Sequence, residues 1–156
     1  MLPQFITHKE KKEIAEKLKV YGIEKIPYLL LKSGTERLRA FSGNLTEQDI
    51  LKFIQNIHIE GYGLYFARID GDEVRLTIDA CQLLKEQIKH KILFLTEKQF
   101  KEYMEGKDVE ANKEQIEQTK ERMYYVLKYG EDLLGMAKVV NNQIKNYLPK
   151  ERRRKS

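Results

Sequence analysis

The residue types that most often perform catalysis are few and scattered in this chain. The three histidines, His8, His58 and His90, lie far apart in sequence, and no two have the spacing of metal ligands. The single cysteine, Cys81, falls on the apolar face of a predicted helix, which favours a buried and inert thiol. No glycine-rich phosphate-binding loop follows a predicted strand. The sequence therefore predicts no catalytic residue, no metal site and no cofactor.

Side chains suited to binding nucleic acid cluster near the C-terminus. Lys138, Lys145 and Lys150 alternate with apolar neighbours along a predicted hairpin, so one edge or face of that hairpin can be basic. Lysines contact phosphates as point charges, amides suit base edges or the ribose 2′-hydroxyl, and a tyrosine can stack on an unpaired base. The candidate RNA-binding residues are Lys138, Asn141, Asn142, Lys145, Asn146, Tyr147, Lys150, Arg152 and Arg153.

Each of these candidates also has a purely structural interpretation. Asn141 and Asn142 have the chemistry of a two-residue hairpin turn. Tyr147 could belong to the core, the lysines could form an ordinary solvated face, and residues 152–156 could be a disordered basic tail. The sequence leaves these alternatives open.

The distribution of charge favours a polyanionic partner. The chain has 156 residues and a formal net charge of +5. Residues 138–156 contain seven basic residues and one acidic residue, a net charge of +6, whereas the other 137 residues carry 22 basic and 23 acidic groups, a net charge of −1. A positive charge confined to one segment is typical of a nucleic-acid-binding surface.

The sequence also predicts the compartment in which the protein works. A single cysteine permits no disulfide within the chain and fits a reducing environment. The N-terminus lacks the apolar run of a signal peptide, and no apolar stretch approaches the length of a membrane span. We therefore expect a soluble cytoplasmic protein without a membrane partner.

The first of two predicted modules is small and α+β. Its predicted elements are a helix over residues 7–19, strands over 26–32 and 36–41, and a second helix from Thr46 to about residue 57. Thr7 is the expected N-cap, with Glu10 completing a capping box, and Gly22 ends the helix. No cluster of Pro, Gly or Ser marks a flexible linker near residue 57, so the two modules are expected to pack against each other.

The second predicted module consists of short strands with two short helices. Its predicted elements are a strand ending at Asp70, strands over 73–79 and 91–95, helices over 79–88 and 96–103, and strands within 123–130, 133–140 and 143–148. Residues 107–122 are almost wholly polar and predict either an exposed loop or a loose helix. Five or six short strands with two helices indicate a small mixed barrel.

Residues 130–152 resemble the closing motif of a known module. The motif has an approach strand containing an apolar-Gly pair, a lysine, a turn, then Lys-Asn, an aromatic residue, Pro-Lys and a basic end. Here it reads Leu134-Gly135, Lys138, Asn141-Asn142, Lys145-Asn146, Tyr147, Pro149-Lys150 and Arg152. The module is the PUA-like RNA-binding domain at the C-terminus of Sun-type RNA cytosine-C5 methyltransferases, of the RsmF kind. The upstream order of elements is also similar, so the resemblance covers about residues 58–153.

The resemblance implies an α+β fold in which a small α/β module over residues 1–57 precedes a PUA-like mixed β-barrel, or pseudobarrel, over residues 58–156. This layout is loosely similar to that of small pre-ribosome factors that carry a PUA domain. Neither the cofactor-binding fold of the methyltransferases nor their Pro-Cys catalytic segment is found in the sequence. The resemblance therefore implies RNA binding without methyl transfer.

The expected function is binding of structured transfer or ribosomal RNA by a non-catalytic accessory protein in RNA modification or ribosome assembly. A separate RNA-modifying enzyme or assembly factor would be a further partner. The alternative is a protein-interaction adaptor whose basic tail is incidental. Because lysines and glutamates balance in the first module, we expect the barrel to carry most of the RNA affinity.

Overall fold

A computed structural model of the protein describes residues 4–41, 46–48 and 63–154. The helices assigned there are α1 (His8–Leu18), α2 (Ile78–Leu83), α3 (Glu97–Met104) and α4 (Lys113–Gln118), with 3₁₀ turns at Lys19–Tyr21 and Lys150–Arg152. The apolar stripe of the predicted second helix and the predicted module boundary near residue 57 lie outside the described residues. The predicted α+β class is confirmed.

Ten strands form two five-stranded sheets within the described residues. The strands are β1 (Gln4–Phe5), β2 (Leu29–Ser33), β3 (Arg37–Phe41), β4 (Leu64–Asp70), β5 (Glu73–Leu76), β6 (Ile92–Phe94), β7 (Val109–Glu110), β8 (Tyr124–Tyr129), β9 (Asp132–Val140) and β10 (Gln143–Ile144). The first sheet has the order β1-β2-β3-β4-β5, and its pairs are antiparallel. The second has the order β6-β8-β9-β10-β7 and curls into a half-barrel, with β6 parallel to β8.

Helix α1 begins at the capping box that the sequence predicts. The Thr7 hydroxyl accepts a hydrogen bond from the Glu10 amide, and the Glu10 carboxylate accepts one from the Thr7 amide, both at 3.1 Å. The chain turns out of the following 3₁₀ segment at Gly22, whose φ is +98°. A Cβ at this position would lie 2.6 Å from the Gln87 carbonyl oxygen, so only glycine fits.

The first sheet takes strands from both sides of the predicted module boundary. β3 pairs with β4 and β4 with β5, although residues 64–76 were predicted to open the second module. The division after residue 57 thus stays a prediction, and the sheet on its two sides is continuous.

The predicted strand over residues 143–148 is wrong beyond Ile144. β10 contains two residues, after which the chain leaves the sheet. The Asn146 amide nitrogen donates to the carbonyls of Tyr103 and Lys107, each at 2.8 Å, and its oxygen accepts from the Leu148 amide at 2.9 Å. These bonds give the backbone a local partner other than a neighbouring strand.

The polar segment over residues 107–122 contains β7 and α4, not a bare loop. Asn112 caps α4 with a capping box closed by Gln115. Gln115 is buried against Gln99, and their amides exchange hydrogen bonds of 2.7 and 2.9 Å. Each glutamine amide also donates to a backbone carbonyl, that of Glu110 or Phe94. The buried amides of this pair are therefore hydrogen-bonded, as buried polar groups must be.

The β8–β9 hairpin is buried on both of its faces. Tyr124 and Val126 join a core with α1 and the first sheet, whereas Tyr125 and Leu127 join a second core inside the half-barrel. The Tyr21 hydroxyl, from the 3₁₀ turn after α1, donates to the Tyr124 carbonyl on β8 at 3.0 Å, and the core around Tyr124 contains residues of both sheets. The two sheets therefore share a core.

Substitution of Tyr21 by Phe should lower the free energy of unfolding by about 1 kcal/mol, because the buried Tyr124 carbonyl loses a donor. Urea denaturation of the full chain measures this. Tyr129→Phe is the matched control, since no hydrogen bond of its hydroxyl is seen among the described residues. Equal losses in the two variants would contradict a specific contribution from the Tyr21 bond.

Candidate nucleic-acid interface

The turn between β9 and β10 has the geometry that its sequence predicts. Asn141 and Asn142 have φ values of 52° and 62°, the left-handed conformation needed at both central positions of the tight hairpin turn. Both residues are exposed, so their amides are accessible to a ligand. Turn formation and RNA contact are therefore compatible at these two positions.

A shallow depression beside this hairpin brings together four of the candidate residues. Lys138, Lys145, Asn146 and Tyr147 line a cavity of about 470 Å³. Arg122, which the sequence analysis did not select, lies in the same wall, and its backbone has a φ of 70°. We call this cavity the hairpin depression.

Carboxylates already hold the two lysines of the hairpin depression. The Lys138 ammonium lies 2.8 Å from Asp70 Oδ2 and 4.5 Å from the centre of the Tyr124 ring, and the Lys145 ammonium lies 3.3 Å from Asp108 Oδ2. The Lys138 ammonium and the Tyr124 hydroxyl, which donates to the same carboxylate at 2.6 Å, lower the pKa of Asp70. A phosphate must therefore compete with an aspartate for each lysine.

Asn146 and Tyr147 have structural contacts of their own. Asn146 closes the irregular segment after β10, as described above. The Tyr147 ring packs edge-on against Tyr124, with centroids 5.8 Å apart, and carries the Arg75 guanidinium 4.7 Å from its centre. Tyr147 is half-buried, so it stands between core and surface.

The basic tail is fastened to the barrel as far as Arg154. The Arg152 guanidinium pairs with Asp79, and Arg153 Nε donates to the Leu148 carbonyl at 3.1 Å. The Arg154 amide donates to the Met104 carbonyl at 2.6 Å. Lys150 is exposed in the 3₁₀ turn. The structure therefore divides the nine candidates into three groups: four in the hairpin depression, Asn141 and Asn142 in the turn, and Lys150, Arg152 and Arg153 in the tail.

A second basic surface lies on the first sheet, and the sequence analysis did not select it. Arg37 on β3 lies opposite Arg68 on β4, which in turn lies opposite Arg75 on β5. These residues and Arg39 line a cavity of about 490 Å³, whose other wall includes Gly135 and Tyr147. We call this cavity the arginine cleft. The alternation in residues 36–41 signals outward-facing arginines, but nothing local in the sequence shows which strands will be neighbours.

Aromatic rings hold two of the cleft arginines. The Arg37 guanidinium lies 5.4 Å from the Tyr65 ring centre, and Arg75 lies over Tyr147. Arg39 donates to the Gly63 carbonyl at 3.2 Å, and Arg68 pairs with Glu36 at 2.5 Å. Cation–π contacts orient a guanidinium without neutralising its charge.

Residues 91–154 match the family model described as the methyltransferase RsmF PUA domain. This match confirms the resemblance over the part of the chain that contains the hairpin depression and the basic tail. It begins at Lys91, so residues 58–90 lie outside it. No curated protein matches the chain.

Of the residues considered for catalysis, Cys81, His8 and His90 line neither cavity. Cys81 is fully buried on α2, as predicted, and burial raises the pKa of its thiol to about 12. His8 and His90 are exposed, and His58 lies outside the described residues. Within the described ranges, no group of three or more His, Cys, Asp or Glu residues could hold a metal ion.

None of the helices in the described residues is long and apolar enough to cross a membrane.

The ion pair of Asp70 with Lys138 should give the protein a distinct acid sensitivity. Because the folded-state pKa of Asp70 is lowered, its contribution to stability is complete above the unfolded value of about 4 and disappears as the pH falls through the folded value. Asp70→Asn should therefore be less stable than the native protein at pH 7, and the difference should shrink below about pH 4. Urea denaturation across this pH range measures it.

The matched control for that experiment is Asp72→Asn, which changes an exposed carboxylate two residues away. A stability difference between the native protein and Asp70→Asn that stays constant from pH 7 to acid would show that the ion pair does not stabilise the fold.

Proposed function

We propose that this protein binds structured RNA, either transfer or ribosomal RNA, as a non-catalytic accessory in RNA modification or ribosome assembly. The observation that carries the proposal is the position of the family match. Residues 91–154 resemble the PUA domain of an RNA methyltransferase, and the same residues supply the whole lining of the hairpin depression and the basic tail as far as Arg154.

The chemistry of the hairpin depression suits an RNA backbone. Lys138, Lys145 and Arg122 approach it from β9, from the segment after β10 and from the loop before β8. A phosphate placed there can replace Asp108 as the partner of Lys145, whose side chain is 41% exposed. The exposed amides of Asn141 and Asn142 lie at the end of the same hairpin, where they can reach a base edge or a 2′-hydroxyl. RNA contact is thus proposed for all nine candidates listed from the sequence.

An accessory role is supported by the state of the potential nucleophile. Cys81 is sealed in the first core, and a thiol with a raised pKa is a poor nucleophile at neutral pH. The transferred methyl group, or any other chemistry on the RNA, would then come from a separate enzyme. A modifying enzyme or an assembly factor is the protein partner in this proposal.

We retain the division after residue 57 as part of the proposal, with residues 58–156 carrying most of the RNA affinity. Pairing between β3 and β4 joins the two parts through one sheet. Because of this pairing, every test of RNA binding uses the full chain.

Replacement of Lys138, Lys145 and Lys150 by Ala should weaken binding of folded RNA and reduce its salt dependence. Several phosphate contacts imply a slope of log affinity on log salt of roughly −3 to −5 for the native protein. Loss of three contacts should flatten that slope by about 2 to 3. Fluorescence anisotropy with purified transfer RNA, repeated over a series of salt concentrations, gives the slope directly.

The control variant replaces Lys9, Lys12 and Lys98 by Ala, which removes the same charge from exposed helix positions. Circular dichroism checks that both triple variants are folded. Equal slopes in the two variants would mean that the hairpin lysines act through net charge alone, and an unchanged affinity in the first would contradict the proposal.

Cross-linking in the organism's own cells should identify the RNA class. We expect transfer or ribosomal RNA to dominate the sequences recovered with the native protein, and recovery to fall for the hairpin triple variant. Recovery of messenger RNA without enrichment of structured RNA would contradict the proposed class of RNA, and recovery of proteins alone would favour the adaptor function.

A further inference from the structure

We infer that the arginine cleft on the first sheet binds the phosphates of a single-stranded RNA segment, beside the RNA held by the hairpin depression. The inference rests on the proposed function, since it assigns a second contact to the same RNA. It concerns Arg37, Arg39, Arg68 and Arg75, all of which lie outside the residues that match the PUA family model.

The arrangement of the arginines places like charges opposite one another, and Glu36 neutralises only Arg68 among them in the described residues. Arg37, Arg68 and Arg75 occupy directly opposed positions on three neighbouring strands. Like charges directly opposite each other on a sheet destabilise it. A phosphate placed among them would convert that repulsion into charge-assisted hydrogen bonds, for which the planar guanidinium is well suited.

The cleft keeps a surplus of positive charge after its internal pairs are counted. Four arginines and one acidic residue, Glu151, line it, which gives a net charge of +3. Glu36, outside the lining, pairs with Arg68 and reduces that charge to +2. The corresponding lysines of the hairpin depression each have an aspartate partner, so the cleft holds the less neutralised charges.

Arg75 supplies an independent sign of a missing ligand. Its side chain is only 9% exposed, and its buried Nε has no hydrogen-bond acceptor among the described residues. The guanidinium lies over the Tyr147 ring and lines the cleft. A buried donor without an acceptor costs free energy, and a phosphate bound by the same guanidinium at the cleft surface would offset part of that cost.

The size and walls of the cleft favour a single strand over a duplex. Its volume of about 490 Å³ falls within the range of roughly 300–1,000 Å³ typical of pockets for small ligands, so individual nucleotides fit and a double helix does not. The wall contains Tyr65 and Tyr147, and both rings are half-buried. Aromatic rings next to arginines are the usual surroundings of unpaired nucleotides.

The two cavities are adjacent because Tyr147 lines both of them. A folded RNA whose double-stranded part contacts the hairpin depression can therefore place an unpaired end in the cleft. The proposed ligand is such an end or an unpaired loop, and it is recognised chiefly through its phosphates.

The test compares the full-length native protein with Arg37→Gln/Arg39→Gln by fluorescence anisotropy. These two side chains are more accessible than Arg75, so their loss disturbs the core least. The probes are an RNA hairpin with a short single-stranded 3′ extension and the same hairpin without it. We expect the variant to bind the extended probe about tenfold more weakly, with a salt slope flatter by about 1.4, which is two single-strand contacts at 0.7 each. Binding of the probe without an extension should change little.

Three further samples make the result decisive. Lys9→Gln/Lys12→Gln removes the same charge from α1 and should bind both probes like the native protein. Arg37→Lys/Arg39→Lys preserves the charge and should recover most of the affinity. If circular dichroism shows that the double variant is unfolded, the single variant Arg37→Gln replaces it, because the Arg37 side chain is exposed. The salt slope should then change by about half as much.

Each remaining outcome overturns the inference. If the native protein binds neither RNA, the proposed function fails and the cleft assignment fails with it. If the native protein binds both probes and the Arg37/Arg39 variant binds them equally well, the cleft assignment alone fails. If millimolar inorganic phosphate fills the cleft and releases no extended RNA, its ligand is a small anion and the RNA assignment is wrong.

Discussion

Burial of the β8–β9 hairpin on both of its faces is the constraint on which the rest of the structure depends. Side chains alternate along a strand, so Tyr124 and Val126 enter the core of the first sheet while Tyr125 and Leu127 fill the half-barrel. Polar side chains on this hairpin are consequently confined to its ends and to Lys138, which pairs with Asp70 at the surface. This is why the hairpin depression forms where it does. It also fixes the distance between the sheets, because β9 packs directly against α2 and β5.

The two basic surfaces use different physical means to hold their charges. In the hairpin depression, the lysine ammonium groups form ion pairs with carboxylates, which position the lysines and partly neutralise their charge. In the arginine cleft, guanidinium groups of Arg37 and Arg75 rest on tyrosine rings, which position them and leave the charge available. The arginine cleft therefore produces a stronger positive electrostatic potential per charged residue. In the hairpin depression, an anion that binds a lysine must first displace the aspartate that pairs with it.

The sequence predicts well the features that depend on neighbouring residues. The capping box at Thr7 and the turn at Asn141-Asn142 involve residues within a few positions of each other, and the structure has both. It predicts poorly what depends on distant pairing. The net charge of residues 1–137 is −1, which gives no sign of a basic surface in that part of the sequence. The pairing of β3, β4 and β5 nevertheless brings arginines from positions 37 to 75 onto one wall. The glutamine pair in residues 99–115 was equally hidden, because a polar residue signals a buried site only once its partner is known.

Tyr147 links the part of the chain that matches a known family to the part that does not. Its backbone amide donates to the Tyr103 hydroxyl, which ties it to α3, while its ring supports Arg75 from the first sheet. The family match begins at Lys91, but the wall of the arginine cleft that includes Tyr147 also includes residues of β5, β4 and β3. In the proposed function, the arginines of β3, β4 and β5 therefore extend the binding surface beyond the residues that match the family. The continuity follows from the pairing of β3 with β4, because that pairing places Arg37 within the same sheet as Arg75.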